Sequence, residues 1–109
     1  MCAAVNKCIL TGTVSPRGFE MRYTASGTAV ATFMLALTET WPDGTERLLF
    51  IPIEVMGRKA EAVTALAPGT AVVVDGRLMR RKVGDRWETI VGCWDLTPIT
   101  VPVTPVEVT

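Results

Sequence analysis

The sequence predicts a single all-β domain: a closed five-stranded barrel with one short helix between the third and fourth strands. Strand-type residues fill five long segments that turn signals separate, and a single segment has helical periodicity. Gly12, Gly76 and Gly92 interrupt predicted strands, as expected where a sheet bends sharply or bulges to close on itself. Strands and helices do not alternate along the chain, so a parallel sheet is not expected.

The first two long strands are expected at residues 5–14 and 28–39, which are rich in β-branched and apolar side chains. The turn sequence SPRG follows the first strand, and a short segment at 20–24 leads into a second turn, ASG. Side chains alternate along residues 28–39, and Phe33 is expected in the core. The turn WPDG then ends this strand, because proline presets φ and glycine tolerates positive φ.

The third long strand, residues 48–56, has two distinct faces because side chains alternate along a strand. Its outer face is expected to carry Phe50 and Met56 beside Glu54. Pro52 cannot donate to a ladder, so the strand is expected to be edge-like or irregular there. The other face is wholly aliphatic and is expected to line the core: Leu49, Ile51, Ile53 and Val55.

One helix is expected at residues 57–69, where Ala60, Val63 and the pair Leu66/Ala67 fall on one stripe. The dipeptide Pro68-Gly69 ends its periodicity. Five strands with a helix between the third and fourth suit a small closed barrel of the oligonucleotide-binding type, the OB fold. An SH3-like barrel or a sandwich is the alternative on this pattern.

The last two strands, residues 70–83 and 86–96, are expected to form a hairpin. Trp94 has the same parity as Ile90 and Leu96, which predicts a place in the core. One domain, residues 1–97, accounts for these elements, because 109 residues are enough for one core and too few for two. Residues 98–109 contain three prolines and are expected to form an extended C-terminal segment.

Catalysis, metal binding and membrane insertion find no support in the sequence. The chain has no histidine, no Gly-rich phosphate loop and no nucleophile motif, so we expect neither an enzyme nor a cofactor. Cys2, Cys8 and Cys93 match no zinc spacing, so no metal is expected, and they are interpreted as free thiols in a reducing compartment. No signal-peptide pattern opens the chain, and no membrane segment is expected, because no apolar run approaches the roughly 20 residues that cross a bilayer.

Positive charge is concentrated in the predicted hairpin, although the chain is formally neutral with 11 Lys+Arg and 11 Asp+Glu. Residues 77–86 hold five bases and one acid, a net charge of +4, so the remaining chain carries −4. Long cations on both faces of a two-stranded ribbon mean that the ribbon protrudes, and they suit a phosphate backbone. An ordinary solvated hairpin is the alternative. The five bases are Arg77, Arg80, Arg81, Lys82 and Arg86.

Aromatic side chains near this charge favour the binding of unpaired strands. Proteins with that function combine a positively charged groove with flat side chains on which bases stack. Trp41 occupies a hairpin turn, Phe50 faces outward by parity, and Trp87 adjoins the basic ribbon. We therefore expect these three rings to stack bases, with subunit contact as the alternative role for Trp41.

Four stretches resemble, in order and spacing, the bacterial-type single-stranded DNA-binding protein family: VNKCILTGTV, SGTAVATFMLAL, GRKAEAV and GTAVVVDGRLMRRK. The resemblance covers roughly residues 4–96. It implies an OB fold that binds single-stranded DNA without sequence preference, without cofactor or chemistry, in replication, recombination or repair. It also implies a homo-oligomer (a tetramer favoured, a dimer the alternative) in the bacterial cytoplasm with the nucleoid, or else in a plastid.

The stacking positions of that family carry over unevenly. Trp41 matches a stacking tryptophan, and Phe50 falls where the family has another. Met56 stands where a phenylalanine is typical, and its polarizable thioether can still cover a base. Val83 stands where a tryptophan is common, and Trp87 across the hairpin substitutes in part. We therefore expect weaker and more salt-dependent DNA binding than in a member with four aromatic platforms.

The C-terminus also departs from the family. The chain ends in TPVEVT, with neither the flexible linker nor the acidic tip that recruits replication and repair enzymes. Such an ending is expected either for a trimmed domain or for a short divergent member. Members of the second kind include the primosomal replication protein PriB and the single-stranded DNA-binding-like proteins of cyanobacteria and plastids.

The sequence thus predicts single-stranded DNA as the partner. The alternative is an OB-fold protein-interaction module, a primosome-type accessory with weak nucleic-acid affinity, which Met56 and Val83 favour. Single-stranded RNA is a third candidate, because stacking and phosphate contacts do not exclude it. The expected phosphate contacts are the five bases of the hairpin, with Lys7, Arg22 and Arg58 as lesser candidates, and the expected stacking residues are Trp41, Phe50, Trp87 and Met56.

Overall fold

The computed structural model describes residues 4–99, which form six β-strands and one α-helix. The four-residue β2 lies in the short segment 20–24, and the other strands are 7 to 13 residues long. The helix follows the third long strand, as predicted. The elements are β1 (Cys8–Val14), β2 (Glu20–Tyr23), β3 (Ala29–Thr40), β4 (Glu46–Met56), α1 (Arg58–Val63), β5 (Ala71–Val83) and β6 (Arg86–Pro98).

The strands form one sheet in the order β1-β5-β6-β4-β3-β2, and β1 also pairs with β3, which closes the sheet into a barrel. β1 runs antiparallel to β5 over residues 8–13 and 71–76, and its end pairs with β3 at Val14↔Leu35. Among the described residues, β4 and β6 form the one parallel pairing. The predicted five-stranded barrel is confirmed, and β2 adds a short strand beside β3.

The core comes from strand alternation, as the sequence predicts. Phe33 is fully buried, and so are Ile53 and Val55 on the aliphatic face of β4. Leu49 and Ile51 on the same face are half-buried. Burying a side chain of this size stabilises the fold by about 1.5–3 kcal/mol. The other large side chains with less than 2% exposure are Val30, Leu35, Val63, Val72, Val74 and Ile90.

The helix is shorter than the predicted residues 57–69, because α1 ends at Val63. The Thr64 hydroxyl donates to the Glu61 carbonyl at 2.6 Å, and the Leu66 N–H donates to the Val63 carbonyl at 3.0 Å. Such bonds to the third preceding residue replace the regular helical ladder at helix ends. Ala60 and Val63 are buried, as the stripe predicts, and Leu66 is half-buried, whereas Ala67 is exposed because the helix has already ended.

A β-bulge overturns the prediction for Trp94. Asp75 pairs with Asp95, whereas Gly76 pairs with Cys93, so Trp94 is an extra residue in β6 with no partner in β5. An extra residue inverts the facing of every side chain beyond it. Trp94, expected in the core beside Ile90 and Leu96, is 50% exposed.

Two glycines allow β5 and β6 to approach at this bulge. A Cβ on Gly76 would overlap the carbonyl oxygen of Gly92, and a Cβ on Gly92 would overlap the Met79 sulfur. In β1, a Cβ on Gly12 would clash with the carbonyl oxygen of Ala36. The bulge beside Gly76 confirms the expected irregularity at that glycine, whereas β1 pairs regularly with β5 through Gly12.

β4 has a partner on only one side along most of its length, and β6 ends later than predicted. Pro52 pairs with Met34 of β3, and β4 pairs with β6 only from Ile53 to Val55, so the earlier part of β4 is edge-like on that side, as predicted. β6 continues to Pro98, beyond the predicted end at residue 96. The rest of the predicted C-terminal segment, residues 100–109, lies outside the described residues, as do residues 1–3 with Cys2.

We expect Gly76→Ala to destabilise the barrel by about 1–3 kcal/mol, the usual cost of overpacking, because the new methyl group meets a backbone carbonyl. Gly92→Ala is the matched control, since its methyl group meets the Met79 thioether, which can rotate away. Urea unfolding of both variants measures the difference. An equal loss for the two variants would contradict the assigned close approach.

Candidate nucleic-acid interface

The β5–β6 hairpin carries its cations on two different faces. Beyond Gly76 the strands pair in register from Arg77↔Gly92 to Val83↔Arg86, and Gly84 turns the chain with a φ of 62°. Arg80 and Lys82 are exposed on one face, the face that also carries Trp87. On the opposite face, β5 residues 77, 79 and 81 are half-buried. The ribbon is exposed toward its tip, as predicted.

Ion pairs divide the cations into two groups. Arg81 Nη1 lies 3.1 Å from Glu54 Oε2, and Arg81 Nη2 lies 2.9 Å from Glu88 Oε1. Within residues 4–99, none of the other four hairpin bases makes an ion pair with a carboxylate. Four of the five hairpin side chains that were predicted to bind phosphate therefore form no ion pair with the described residues.

The three lesser candidates have different surroundings. Lys7 Nζ lies 2.9 Å from Asp75 Oδ1, and Arg22 Nη2 lies 3.5 Å from Glu54 Oε2. Arg58 is exposed at the start of α1. Lys7 and Arg22 would have to exchange a carboxylate for a phosphate, whereas Arg58 makes no ion pair within the described ranges.

The turn after β3 presents Trp41 at the surface, with 44% exposure. The Trp41 N–H donates to the Thr45 carbonyl, and the Gly44 N–H donates to the Trp41 carbonyl, both at 2.8 Å. Asp43 accepts hydrogen bonds from the Thr45 hydroxyl and N–H, which lower the pKa of Asp43. Arg47 places its guanidinium 5.0 Å from the indole centre, a cation that the sequence analysis did not identify.

The remaining predicted stacking residues are also exposed, each by more than half. Trp87 projects from the ribbon with Arg80 Cζ 5.7 Å from its ring centre. Phe50 and Met56 lie on the outer face of β4, as their parity predicts. The structure thus separates these stacking candidates. Trp87 adjoins Arg80 and Lys82 on one face of the ribbon, whereas Met56 lies with Arg77 and Met79 of the other face.

Trp94 is an exposed aromatic residue that the sequence analysis missed. Arg77 Cζ lies 5.4 Å and Lys7 Nζ 6.0 Å from its ring centre. Lys59 of α1 donates to the Trp94 carbonyl at 2.9 Å and to Asp95 Oδ1 at 3.0 Å, and this bond lowers the pKa of Asp95. In the sequence, the sign of this break in alternation is Gly76, which pairs with Cys93, the residue before Trp94.

A pocket of about 250 Å³ lies on the outer face where β4, β5 and β6 meet. Gly92 and Cys93 are part of its lining. The Cys93 side chain packs against the core, and this burial raises the pKa of the thiol to about 11, which keeps it protonated and unreactive at neutral pH. A second pocket, of about 180 Å³ between α1 and the β1–β2 turn, has no charged side chain in its lining. The larger pocket is lined by Glu54, Met56, Arg77, Met79, Gly92, Cys93 and Trp94.

Within the part of the chain that the structure describes, the helix is not long and apolar enough to span a membrane. Residues 4–99 contain no group of three or more Cys, Asp or Glu side chains placed to hold a metal ion. The exposed cations and rings are its main chemical feature.

Comparison with known proteins identifies similar chains. The family model described as "Single-strand binding protein family" matches residues 5–89. The single-stranded DNA-binding protein of Thermotoga maritima is 40% identical over 101 residues, 88% of this chain and 68% of the relative. The wild-type single-stranded DNA binding protein from Thermus aquaticus is 30% identical with a TM-score of 0.78, over 88% of this chain and 50% of that chain.

A third comparison concerns the fold alone. The protein PriB from Ralstonia solanacearum has a TM-score of 0.72 at 23% identity, over 88% of this chain and the whole of that chain. The two solved structures thus share the barrel, while this chain spans about half of the Thermus aquaticus protein and the whole length of the PriB chain. The predicted OB fold is confirmed.

We expect Arg81→Met to destabilise the fold by about 1–3 kcal/mol, because Glu54, with a side chain only 10% exposed, loses its nearer cation. Arg80→Met is the control, since Arg80 contacts the exposed Trp87 and should change stability by less than about 0.5 kcal/mol. Urea unfolding at constant m-value measures both. A larger loss for Arg80→Met would contradict the division of the cations.

Proposed function

The chain belongs to the single-strand binding protein family, and from that premise we propose that it binds single-stranded DNA without catalysing a reaction. Bases would stack on exposed rings while cations of the β5–β6 hairpin contact phosphates. The binding would be largely independent of sequence, because stacking and phosphate contacts carry little base information. We place this activity in DNA replication, recombination or repair in a bacterial cytoplasm.

One observation supports the proposal most directly. Arg77, Arg80, Lys82 and Arg86 lie on a single hairpin, and no described carboxylate compensates them. Four cations on one hairpin repel one another, so their concentration there does not stabilise the fold. A polyanion that lies along the hairpin would relieve that repulsion and release its own counterions.

Exposed rings supply the second component of the proposed contact. Trp41, Phe50 and Trp87 are exposed aromatic side chains on strands or tight turns. Tryptophans held next to arginines provide stacking surfaces that also gain from cation–π attraction. With Met56 and Val83 in place of rings, we propose a weaker and more salt-dependent complex than four aromatic platforms would give.

Assembly is part of the proposal. Val5 and Ile9 are exposed at the beginning of the chain and in β1, by 92% and 63%. A second copy would bury such apolar side chains, so we propose a homo-oligomer, with a tetramer favoured over a dimer. A longer single strand could then wrap around several barrels.

A protein-interaction module is the second candidate. Leu48, Leu78 and Val83 are each at least half exposed, and aliphatic side chains of this kind suit a protein partner better than a nucleic acid. Such a module would leave tryptophan fluorescence unchanged when oligonucleotides are added. Single-stranded RNA is the third candidate, and competition between dT and rU oligonucleotides separates it from DNA.

We expect dT oligonucleotides to quench the intrinsic fluorescence of the protein, and Trp41→Ala to weaken their binding. Loss of one stacked base costs about 1–3 kcal/mol, so the Kd should rise about 5- to 150-fold. Trp41→Phe keeps a ring and should retain most of the affinity. Fluorescence anisotropy of a labelled oligonucleotide measures the Kd of the wild type and of both variants. A folded wild type that shows no quenching at any salt would overturn the DNA-binding proposal.

We also expect binding to fall with salt. On single strands log K changes with log salt by about −0.7 for each phosphate neutralised, so four cations give a slope of about −3. Replacing Arg80, Lys82 and Arg86 together with Gln should remove about 2 of that slope. Arg17→Gln, in the turn after β1, is the control and should leave it unchanged. A triple variant with the wild-type slope would show that phosphates bind elsewhere.

A further inference from the structure

An acidic side chain lies in the middle of the proposed binding surface. Glu54 occupies the outer face of β4, pairs with Gly92 of β6, and is 9% exposed. Gly92 in turn pairs with Arg77, so three neighbouring strands bring Glu54 and Arg77 to one place. A carboxylate repels phosphates, so its position on this surface calls for a different chemical role.

The hydrogen bonds of Glu54 leave one oxygen available. Arg81 and Arg22 both donate to Oε2, at 3.1 Å and 3.5 Å. Oε1 accepts no hydrogen bond from any side chain or backbone group of residues 4–99. A carboxylate that two arginines hold in position, with its second oxygen unused, is a preorganised acceptor for an N–H donor.

The pocket beside Glu54 has the size and walls for one flat group. Its volume of about 250 Å³ is below the roughly 300–1,000 Å³ that drug-sized ligands occupy, which restricts the occupant to something small. Trp94 and the Arg77 guanidinium form one side, 5.4 Å apart, and Met56 adds a polarizable thioether. Planar π-systems and guanidinium groups are the surfaces on which nucleobases stack.

Two features hold the backbone of Trp94 in position. The bulge turns it outward, and the Lys59 ammonium holds its carbonyl oxygen at 2.9 Å. Trp94 therefore projects from a strand whose backbone is bonded to α1, and a base that enters the pocket does not have to order a mobile loop. Its indole is half exposed, which leaves ring surface for contact.

We propose that this pocket holds one unpaired nucleobase between Trp94 and Met56, and that Glu54 makes the pocket favour a base with an exocyclic amino group. The inference rests on the proposed function and adds a base preference at one position of the strand. An amino N–H of cytosine or adenine donates to Oε1. In uracil and thymine the ring N–H lies between two carbonyl oxygens, which the carboxylate repels.

The test compares dC and dU oligonucleotides of about 15 nucleotides, a length that covers the site of one OB fold. These pyrimidines have the same ring and no methyl group, and they differ at the 4-amino group and the adjacent N3. We expect dC to bind about three- to tenfold more tightly than dU at low salt and slightly alkaline pH. In Glu54→Gln the ratio should fall toward one, and Trp94→Ala should lower both the dC affinity and the ratio.

Glu61→Gln on the exposed side of α1 makes the same chemical change outside the pocket and should keep the wild-type ratio. A wild-type ratio of one, or tighter binding of dU, overturns the inference even if Glu54→Gln fails to fold. An equal rise in both affinities in Glu54→Gln also overturns it, because Glu54 then acts only as a repelling charge. Absence of binding to either oligonucleotide would instead overturn the proposed function.

Discussion

The close approach of β5 and β6 at Gly76 and Gly92 is the constraint on which the rest of the structure depends. The Gly92 carbonyl fills the space where a side chain of residue 76 would lie. On one side of Gly76, β5 pairs with both β1 and β6 and belongs to the barrel; beyond it, β5 pairs only with β6. β5 thus leaves the barrel at this contact between two backbones, whereas β6 remains part of the barrel through Val91, which pairs with Ile53 of β4.

Alternation of side chains along β5, beyond this contact, decides what each charge of the hairpin can contact. Since side chains alternate along β5, Arg81 faces β4 and forms ion pairs with Glu54, whereas Arg80 faces the other way beside Trp87. Arg81 is therefore engaged within the fold, whereas Arg80 makes no ion pair with the described residues and is proposed to contact DNA. The formal neutrality of the chain is compatible with a polyanion partner because the positive charge is local and mostly uncompensated.

Rigid elements carry most of the proposed contacts. Trp94 is held by α1 through Lys59, and Trp41 sits in a turn closed by Asp43 and Thr45. Rings fixed in this way lose little conformational entropy when a base stacks on them. The cations at the ribbon tip are long, exposed side chains, which suits contact with a flexible phosphate backbone whose position varies.

The sequence by itself determined the strands, most of their inward faces and the exposure of Phe50 and Met56 on β4, because alternation is a local property of an extended chain. It also predicted the concentration of charge between residues 77 and 86. Only the tertiary structure decided the bulge that turns Trp94 outward, the partners of Arg81, and the end of α1 at Val63. The bulge and the partners of Arg81 depend on which residues of distant strands come into register, and parity along one strand carries no information about an extra residue opposite its neighbour. The helix ends early because local bonds to the third preceding residue replace the helical ladder after Val63.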